Sequence, residues 1–260
     1  MSTSLVEVSC AVLRNCLGLK AGENLLIVSD DDKKEIAEAL YEAGKQLGAE
    51  SMLFIMKERK RSGEEPPAPV SAAMREADVA VCVTKHSLTH TKARKYAVAN
   101  GTRVATMPGI TPDMFLEGAI SADYEKVKDL TEKVTRYLTK GKQVKIEKEG
   151  KVLTFSIDAR DGIPSTGVYL NPGESGNLPS GEAYIAPVEG TANGEIVVDG
   201  SIAGIGKIDS PLVVKLENGR ITAVEGEVGG KLLSILGEKD GRLSGEFGIG
   251  TNEKARITGV

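Results

Sequence analysis

Apolar positions in the first 140 residues follow two alternating patterns. Short continuous apolar runs are typical of strands buried on both faces of a sheet, and the clearest are NLLIVSD (24–30), ESMLFIM (50–56), DVAVCVT (78–84) and RVATMPG (103–109). Between them, segments such as DDKKEIAEALYEAGKQLG place apolar residues at helical spacing. Strands that alternate with helices predict right-handed crossovers and a mostly parallel sheet. We therefore expect a doubly wound α/β domain over residues 1–140.

The pattern changes after residue 140. The segments QVKIEKEGKVLTFSI and PLVVKLENGRITAVEGEV alternate apolar and polar residues around turns at Glu149-Gly150 and Asn218-Gly219, which is typical of β-hairpins. Only GGKLLSILGE has a helical pattern in this half. The long charged segment at 124–142 predicts a helix that leads out of the first domain. We therefore expect a β-rich α+β C-terminal domain over residues 141–260.

Composition and charge narrow the classes of partner. The 260-residue chain is 40% hydrophobic and 27% charged, as in ordinary soluble proteins, and its net charge is -4. Because neither Lys nor Arg forms a dominant block, nucleic acid and anionic membrane surfaces are not expected partners. No apolar stretch approaches the ~20 residues that cross a bilayer. Cys10, Cys16 and Cys82 lack paired spacing, so we expect reduced thiols and a cytoplasmic protein.

The loops after the predicted parallel strands carry polar residues but no phosphate-binding glycine motif. Asp30 to Asp32 open a predicted helix and are interpreted as capping residues. His86 and His90 are the only histidines and lie four residues apart, a spacing that holds zinc when it falls on one helix. Here the pair spans a strand-to-helix turn without a nearby carboxylate. We interpret the histidines as part of a cleft wall, with His90 as a candidate substrate-binding residue.

Two glutamates in the second half share a local design. Glu182 and Glu246 each follow a glycine and precede small or aromatic apolar residues, in SGEAYIAP and SGEFGIGT. One interpretation is that each is an ordinary exposed charge at the polar edge of a surface strand. The other is that each projects into a crowded interior, where a carboxylate needs a cation or a proton.

The stretches GNLPSGEAYIAPVEGTANGEIVVDGSI and GRLSGEFGIGTN resemble the aminopeptidase T family of metallopeptidases, which includes the aminopeptidase S enzymes. The resemblance extends to SLTHTKARKYAVANGTRVATMPGITPDMF in the first half. It implies that Glu182 and Glu246 are ligands of a two-metal site holding zinc or cobalt. Tyr184, beside Glu182, is a candidate substrate-binding residue that would line this site, and the alternative is that it serves only in packing. The implied activity is removal of N-terminal residues from short peptides by a cytoplasmic homodimer.

One departure from the family leaves three interpretations open. The family's other metal ligands, histidines and an aspartate, follow the second glutamate motif, and residues 1–260 contain neither of the motifs that carry them. Two carboxylates alone make a weak oxygen-only site that does not select zinc strongly over other metals. The sequence is then a piece of an ordinary aminopeptidase, or an inactive relative with a binding or structural role. The third interpretation is a dioxygenase, because the same fold family includes an iron-dependent, ring-cleaving enzyme of pyridine degradation.

Overall fold

The computed structural model describes residues 4–257 and 259 of the chain. Contacts divide the chain into two units. The first comprises the chain up to Asp129 together with Ser165–Gly181 and Asn252–Ala255. The second comprises Leu130–Pro164, Glu182–Thr251 and the chain from Arg256 onward. The single boundary predicted near residue 140 differs from this division, because the chain leaves the first unit inside its longest helix and returns to it twice.

The helices and strands follow the predicted order. The α-helices are α1 (Leu5–Ala11), α2 (Lys34–Gln46), α3 (Ala68–Glu76), α4 (Lys92–Ala99), α5 (Pro112–Glu117), α6 (Tyr124–Lys140) and α7 (Gly229–Leu236). The strands are β1 (Asn24–Asp30), β2 (Glu50–Met56), β3 (Val79–Val83), β4 (Arg103–Thr106), β5 (Gln143–Lys148), β6 (Lys151–Ser156), β7 (Ile163–Ser165), β8 (Ser175–Asn177), β9 (Glu182–Ile185), β10 (Asn193–Val198), β11 (Ser201–Ile202), β12 (Gly206–Lys207), β13 (Leu212–Glu217), β14 (Arg220–Glu225) and β15 (Phe247–Gly250). A π-helical turn, Val12–Cys16, continues α1.

The first unit is built on a five-stranded parallel sheet in the order β2-β1-β3-β4-β8. Successive residues of β1 alternate between two separate cores: Leu25 and Ile27 pack on one face, and Leu26 and Val28 pack on the other. All four are fully buried, which explains the continuous apolar run in the sequence. The predicted doubly wound α/β architecture is thus confirmed.

One of the two edge strands of this sheet, β8, comes from the glycine-rich segment that the sequence analysis assigned to the second domain. It pairs in parallel with β4, placing Val104 opposite Ser175 and Thr106 opposite Asn177. Gly176 has no side chain where Tyr169 crosses the strand, since a Cβ there would lie 2.6 Å from the ring carbon Cζ. The Tyr169 hydroxyl donates to the Asn177 carbonyl at 2.9 Å. A three-residue strand held by such contacts has no apolar run that a sequence pattern could reveal.

The second unit has an antiparallel five-stranded sheet ordered β14-β13-β10-β6-β5 and a three-stranded sheet ordered β15-β9-β7, in which β15 and β9 are antiparallel. The β5–β6 hairpin turns at Glu149-Gly150 (φ 51° and 74°), and the β13–β14 hairpin turns at Asn218-Gly219 (φ 50° and 77°). Positive φ at both central residues is typical of type I′ turns, and both hairpins turn at the residues that the sequence predicted. The β-rich character expected for this half is confirmed.

Two of the three cysteines are buried, free thiols, and Cys10 is a partly exposed free thiol. Burial raises the pKa of both Cys16 and Cys82 to about 12, so these thiols stay protonated and unreactive. Within residues 4–257, no helix is both long enough and apolar enough to cross a membrane.

Candidate active site

The two glutamates singled out by sequence lie at neighbouring strands of the three-stranded sheet. Glu182 begins β9, and Glu246 immediately precedes β15. The strands are antiparallel, with Glu182 opposite Gly250 and Tyr184 opposite Gly248. Successive side chains of a strand point to opposite faces of the sheet. Glu182 and Tyr184 therefore share one face of β9, while Ala183 and Ile185 are fully buried on the other.

Gly248 provides the space that the Glu182 carboxylate occupies. A Cβ at this position would lie 2.9 Å from the carboxyl carbon of Glu182 and closer still to its Oε1 atom. Real Cβ contacts are not found below 3.0 Å, so any side chain at residue 248 would displace the carboxylate. A Cβ at Gly250, two residues further along the same strand, would have no neighbouring atom within 4 Å. The Glu182 carboxylate therefore packs against Gly248, whereas the space beside Gly250 is empty.

Burial and like charge act together on this face. Burial raises the pKa of Glu182, and the negative charge of Glu246 raises it further. The pKa of the Tyr184 hydroxyl is also raised, first by burial and then by the charges of Glu246 and Glu182. The three side chains thus form one electrostatic group, in which a negative charge is costly unless a cation or proton is near. This arrangement favours the interpretation that Glu182 projects into the protein interior over the interpretation that it is an ordinary surface charge.

The same residues do not complete a metal site by themselves. Among the residues that the structure describes, no cluster of three or more His, Cys, Asp or Glu side chains is placed to hold a metal ion. The Thr251 hydroxyl, which follows the end of β15, forms a hydrogen bond of 2.6 Å with the Thr131 hydroxyl. Two carboxylates fall short of the ligand number that a transition metal requires. The assignment of Glu182 and Glu246 as metal ligands therefore stays a prediction.

The histidines belong to the first unit, in the loop between β3 and α4. His90 is exposed in the turn that precedes α4, and His86 is partly buried with its Nε2 atom 3.7 Å from Oε1 of Glu58. Neither lies within a helix, so the spacing that suits a zinc-binding helix is not realised. The structure supplies no contact that tests His90 as a substrate-binding residue.

Beside these histidines lies a network of hydroxyl groups that the sequence did not predict. The Thr89 hydroxyl is 2.8 Å from both the Ser87 and the Thr106 hydroxyls, and it donates to the Asn177 side chain at 3.0 Å. Thr106 also donates to the Asn177 side chain, at 2.7 Å. Only the pairing of β8 with β4 brings Asn177 to this edge, so no local motif could have identified the network.

Asp30 has a different role from the predicted helix cap. Its side chain makes no capping bond, although the residue precedes a short 3-10 helix. Instead Oδ2 accepts the backbone N–H of Lys85 at 2.8 Å, and Oδ1 is buried without a hydrogen-bond partner. Burial raises the pKa of this carboxyl group. The capping prediction for Asp30 is wrong, because the backbone just after the adjacent strand β3 supplies the donor instead of the helix.

Comparison with known proteins gives a family match and two related folds. The model of a family described as 2,5-dihydroxypyridine 5,6-dioxygenase (NicX) matches residues 4–260. The structure of 2,5-dihydroxypyridine dioxygenase from Pseudomonas putida KT2440 is 16% identical, with a TM-score of 0.69 over 91% of this chain and 72% of that one. Wild-type AmpT from Thermus thermophilus is also 16% identical, with a TM-score of 0.66 over 95% of this chain and 77% of that one. No curated protein matches the chain in sequence.

These findings correct the predicted activity. The motifs led us to expect a zinc or cobalt aminopeptidase that acts on short peptides, and that prediction is wrong, because the matching family is defined by ring-cleaving oxygenase chemistry. The likeness to AmpT is one of fold, and a shared fold does not imply a shared activity. The family match is consistent with the expected divalent metal ion, but it does not support zinc or cobalt as that ion.

Proposed function

Since the chain belongs to the 2,5-dihydroxypyridine 5,6-dioxygenase family, we propose that it opens a hydroxylated pyridine ring with dioxygen. The match over residues 4–260 carries this proposal. The family's name places the reaction at ring carbons 5 and 6. Cleavage of that bond with one oxygen atom added to each carbon consumes one dioxygen and needs no external reductant.

The cofactor we propose is a divalent metal ion, with iron as the specific choice. Iron would supply the means to activate dioxygen, which the side chains of amino acids cannot do by themselves. Glu182 and Glu246 are the described carboxylates that we propose face such an ion. Because they do not complete a coordination sphere, we assign no step of the reaction to a metal held by these two residues alone.

The roles we propose for the protein side chains concern the substrate. We propose that Glu182, whose pKa is raised by burial, exchanges a proton with a ring hydroxyl. Tyr184, on the same face of β9, would contact the flat face or edge of the aromatic ring. His90 remains a proposed contributor to substrate binding. A cytoplasmic location also remains part of the proposal, supported by the two buried free thiols.

The direct test is oxygen uptake by protein loaded anaerobically with iron(II) and mixed with 2,5-dihydroxypyridine. We expect one dioxygen consumed per ring opened, together with loss of the ring's ultraviolet absorbance. Glu182→Gln should lower the rate at least tenfold, whereas Glu238→Gln, an exposed position in the same unit, should not. Ring binding without oxygen uptake, or uptake equal to that of free iron(II), would overturn the proposal.

A further inference from the structure

Two adjoining cavities lie beside the π-helical turn that continues α1. The larger, of about 660 Å³, opens between this turn and the start of α6, with Val168 and Leu170 as its apolar wall. The smaller, of about 210 Å³, lies between α1 and the segment that precedes α6. Asn15, Ala122 and Tyr124 line both cavities, and every lining residue belongs to the first unit. The larger volume is in the range of small-molecule sites.

The smaller cavity is an apolar slot. Val8, Val12 and Ile120 line it, and all three are buried. Tyr124 is also buried, and its hydroxyl group already donates to a backbone carbonyl at 3.3 Å, so this residue offers a ligand only apolar contact. Glu7 lines the slot too, but its carboxylate is engaged in capping α1. Such a slot suits the hydrocarbon part of a ligand.

The larger cavity carries hydrogen-bond donors without partners. The π-helical turn leaves Arg14 and Asn15 exposed, while its other three residues are buried. Among the residues that the structure describes, no hydrogen bond or ion pair engages the side chain of Arg14 or of Asn15. A guanidinium group has five N–H donors in a planar fork that matches a carboxylate, and an amide adds two donors. Turns of this kind are frequent at functional sites.

The other charges around the larger cavity leave Arg14 unbalanced. The Asp123 carboxylate accepts the N–H of Glu125 and pairs with Lys126 at 3.2 Å, and the hydrogen bond to Lys126 lowers the pKa of this carboxyl group. Glu125 and Lys128 lie three residues apart on α6, a spacing at which opposite charges balance each other. A ligand with one negative charge is thus complementary to Arg14. A phosphate, with nearly twice that charge, is repelled by Asp123 and Glu125.

We propose that the two cavities form a binding site for a small monocarboxylic acid with an apolar body. The carboxylate accepts hydrogen bonds from the guanidinium group of Arg14, and the amide of Asn15 is a further donor. The apolar body passes Ala122, which lines both cavities, and fills the slot.

This site is separate from the loops that carry the histidines. The carbonyls of Leu17 and Gly18, which follow the π-helical turn, accept hydrogen bonds from the Arg103 guanidinium at 2.7 and 3.0 Å. Arg103 begins β4, so the site lies at the amino ends of the parallel strands, whereas the histidine loop follows the carboxyl end of β3. The inference therefore does not depend on the proposed ring cleavage.

The test is calorimetric titration of the full chain with benzoate, and benzamide serves as the uncharged control. Benzoate should bind saturably with one site per chain, and benzamide should bind roughly tenfold more weakly. Arg14→Gln should weaken benzoate binding by roughly tenfold, because a hydrogen bond to a charged group contributes about that factor. Arg61→Gln, which changes another exposed arginine of the same unit, should leave the affinity unchanged.

Two further variants locate the binding. Ala122→Leu should exclude the benzoate ring while Arg14 stays in place, because the longer side chain fills the junction of the cavities. Glu182→Gln should bind benzoate as the wild type does, since Glu182 belongs to the second unit. Equal affinities for benzoate and benzamide would overturn the proposal. So would unchanged benzoate binding by Arg14→Gln, or loss of this binding in Glu182→Gln.

Discussion

Replacing Gly248 by alanine should separate the activity of the candidate site from the stability of the fold. The Cβ atom would lie 2.9 Å from the carboxyl carbon of Glu182, whereas non-bonded carbons rest about 3.5–4.0 Å apart. The carboxyl group must therefore move by roughly 0.6–1.1 Å. A displacement of about 1 Å in a reacting group can lower a rate ~100-fold. We expect a loss of that order in kcat/KM for oxygen uptake.

Stability should change little or in the opposite direction. The backbone of Gly248 does not adopt positive φ, and the group in the way is the flexible end of a side chain. Alanine within a strand is favoured over glycine by about 0.5–1 kcal/mol, because glycine loses more conformational freedom on folding. The thermal midpoint of Gly248→Ala should thus equal or exceed that of the wild type while activity falls.

Gly250→Ala is the matched control. It lies in the same strand and faces Glu182 directly across the pair, yet a Cβ there would meet open space. Its oxygen uptake should stay within about twofold of the wild type, because no neighbouring atom has to move. Equal activities of the two variants would show that the position of the Glu182 carboxylate does not limit the reaction.

Two further variants test the electrostatics of each unit. Because the pKa of Glu182 is raised from 4.5 in the folded protein, ionisation of this group opposes folding as the pH rises above that value. Metal-free Glu182→Gln should therefore be more stable than the wild type at pH 7 but not at pH 3. An equal gain in stability at both pH values would contradict this reasoning. Arg103 is 4% exposed, donates to the Leu17 carbonyl at 2.7 Å and pairs with Glu23 at 2.6 Å. Arg103→Met should lower the free energy of unfolding by about 2–3 kcal/mol in urea titration, and the exposed Arg61→Met should not.

The sequence by itself determined the local elements. Apolar runs such as 24–30 and 78–84 specified strands, because only a sheet covered on both faces buries every residue of such a run. Asn218-Gly219 specified a hairpin, since these residue types tolerate positive φ. The paired motifs around Glu182 and Glu246 were visible for the same reason: each is a short pattern of neighbouring residues.

The choice of activity was not determined by those motifs. The glutamate stretches resemble a peptidase family, and the peptidase fold is indeed close, yet the chain belongs to an oxygenase family. A strand that presents a carboxylate can serve either reaction, because the chemistry depends on the remaining ligands and on the substrate.

Only the tertiary structure decided which distant residues meet. Glu182 rests over Gly248 because β9 and β15 pair in one register, and a shift of one residue would turn the carboxylate to the other face. Asp30 binds the Lys85 backbone because β1 and β3 are neighbours, and Asn177 reaches Thr106 because β8 joins the first sheet. These contacts join residues many positions apart in sequence. They form only because particular strands pair, and the choice of pairing partners does not appear as a periodic pattern in the sequence.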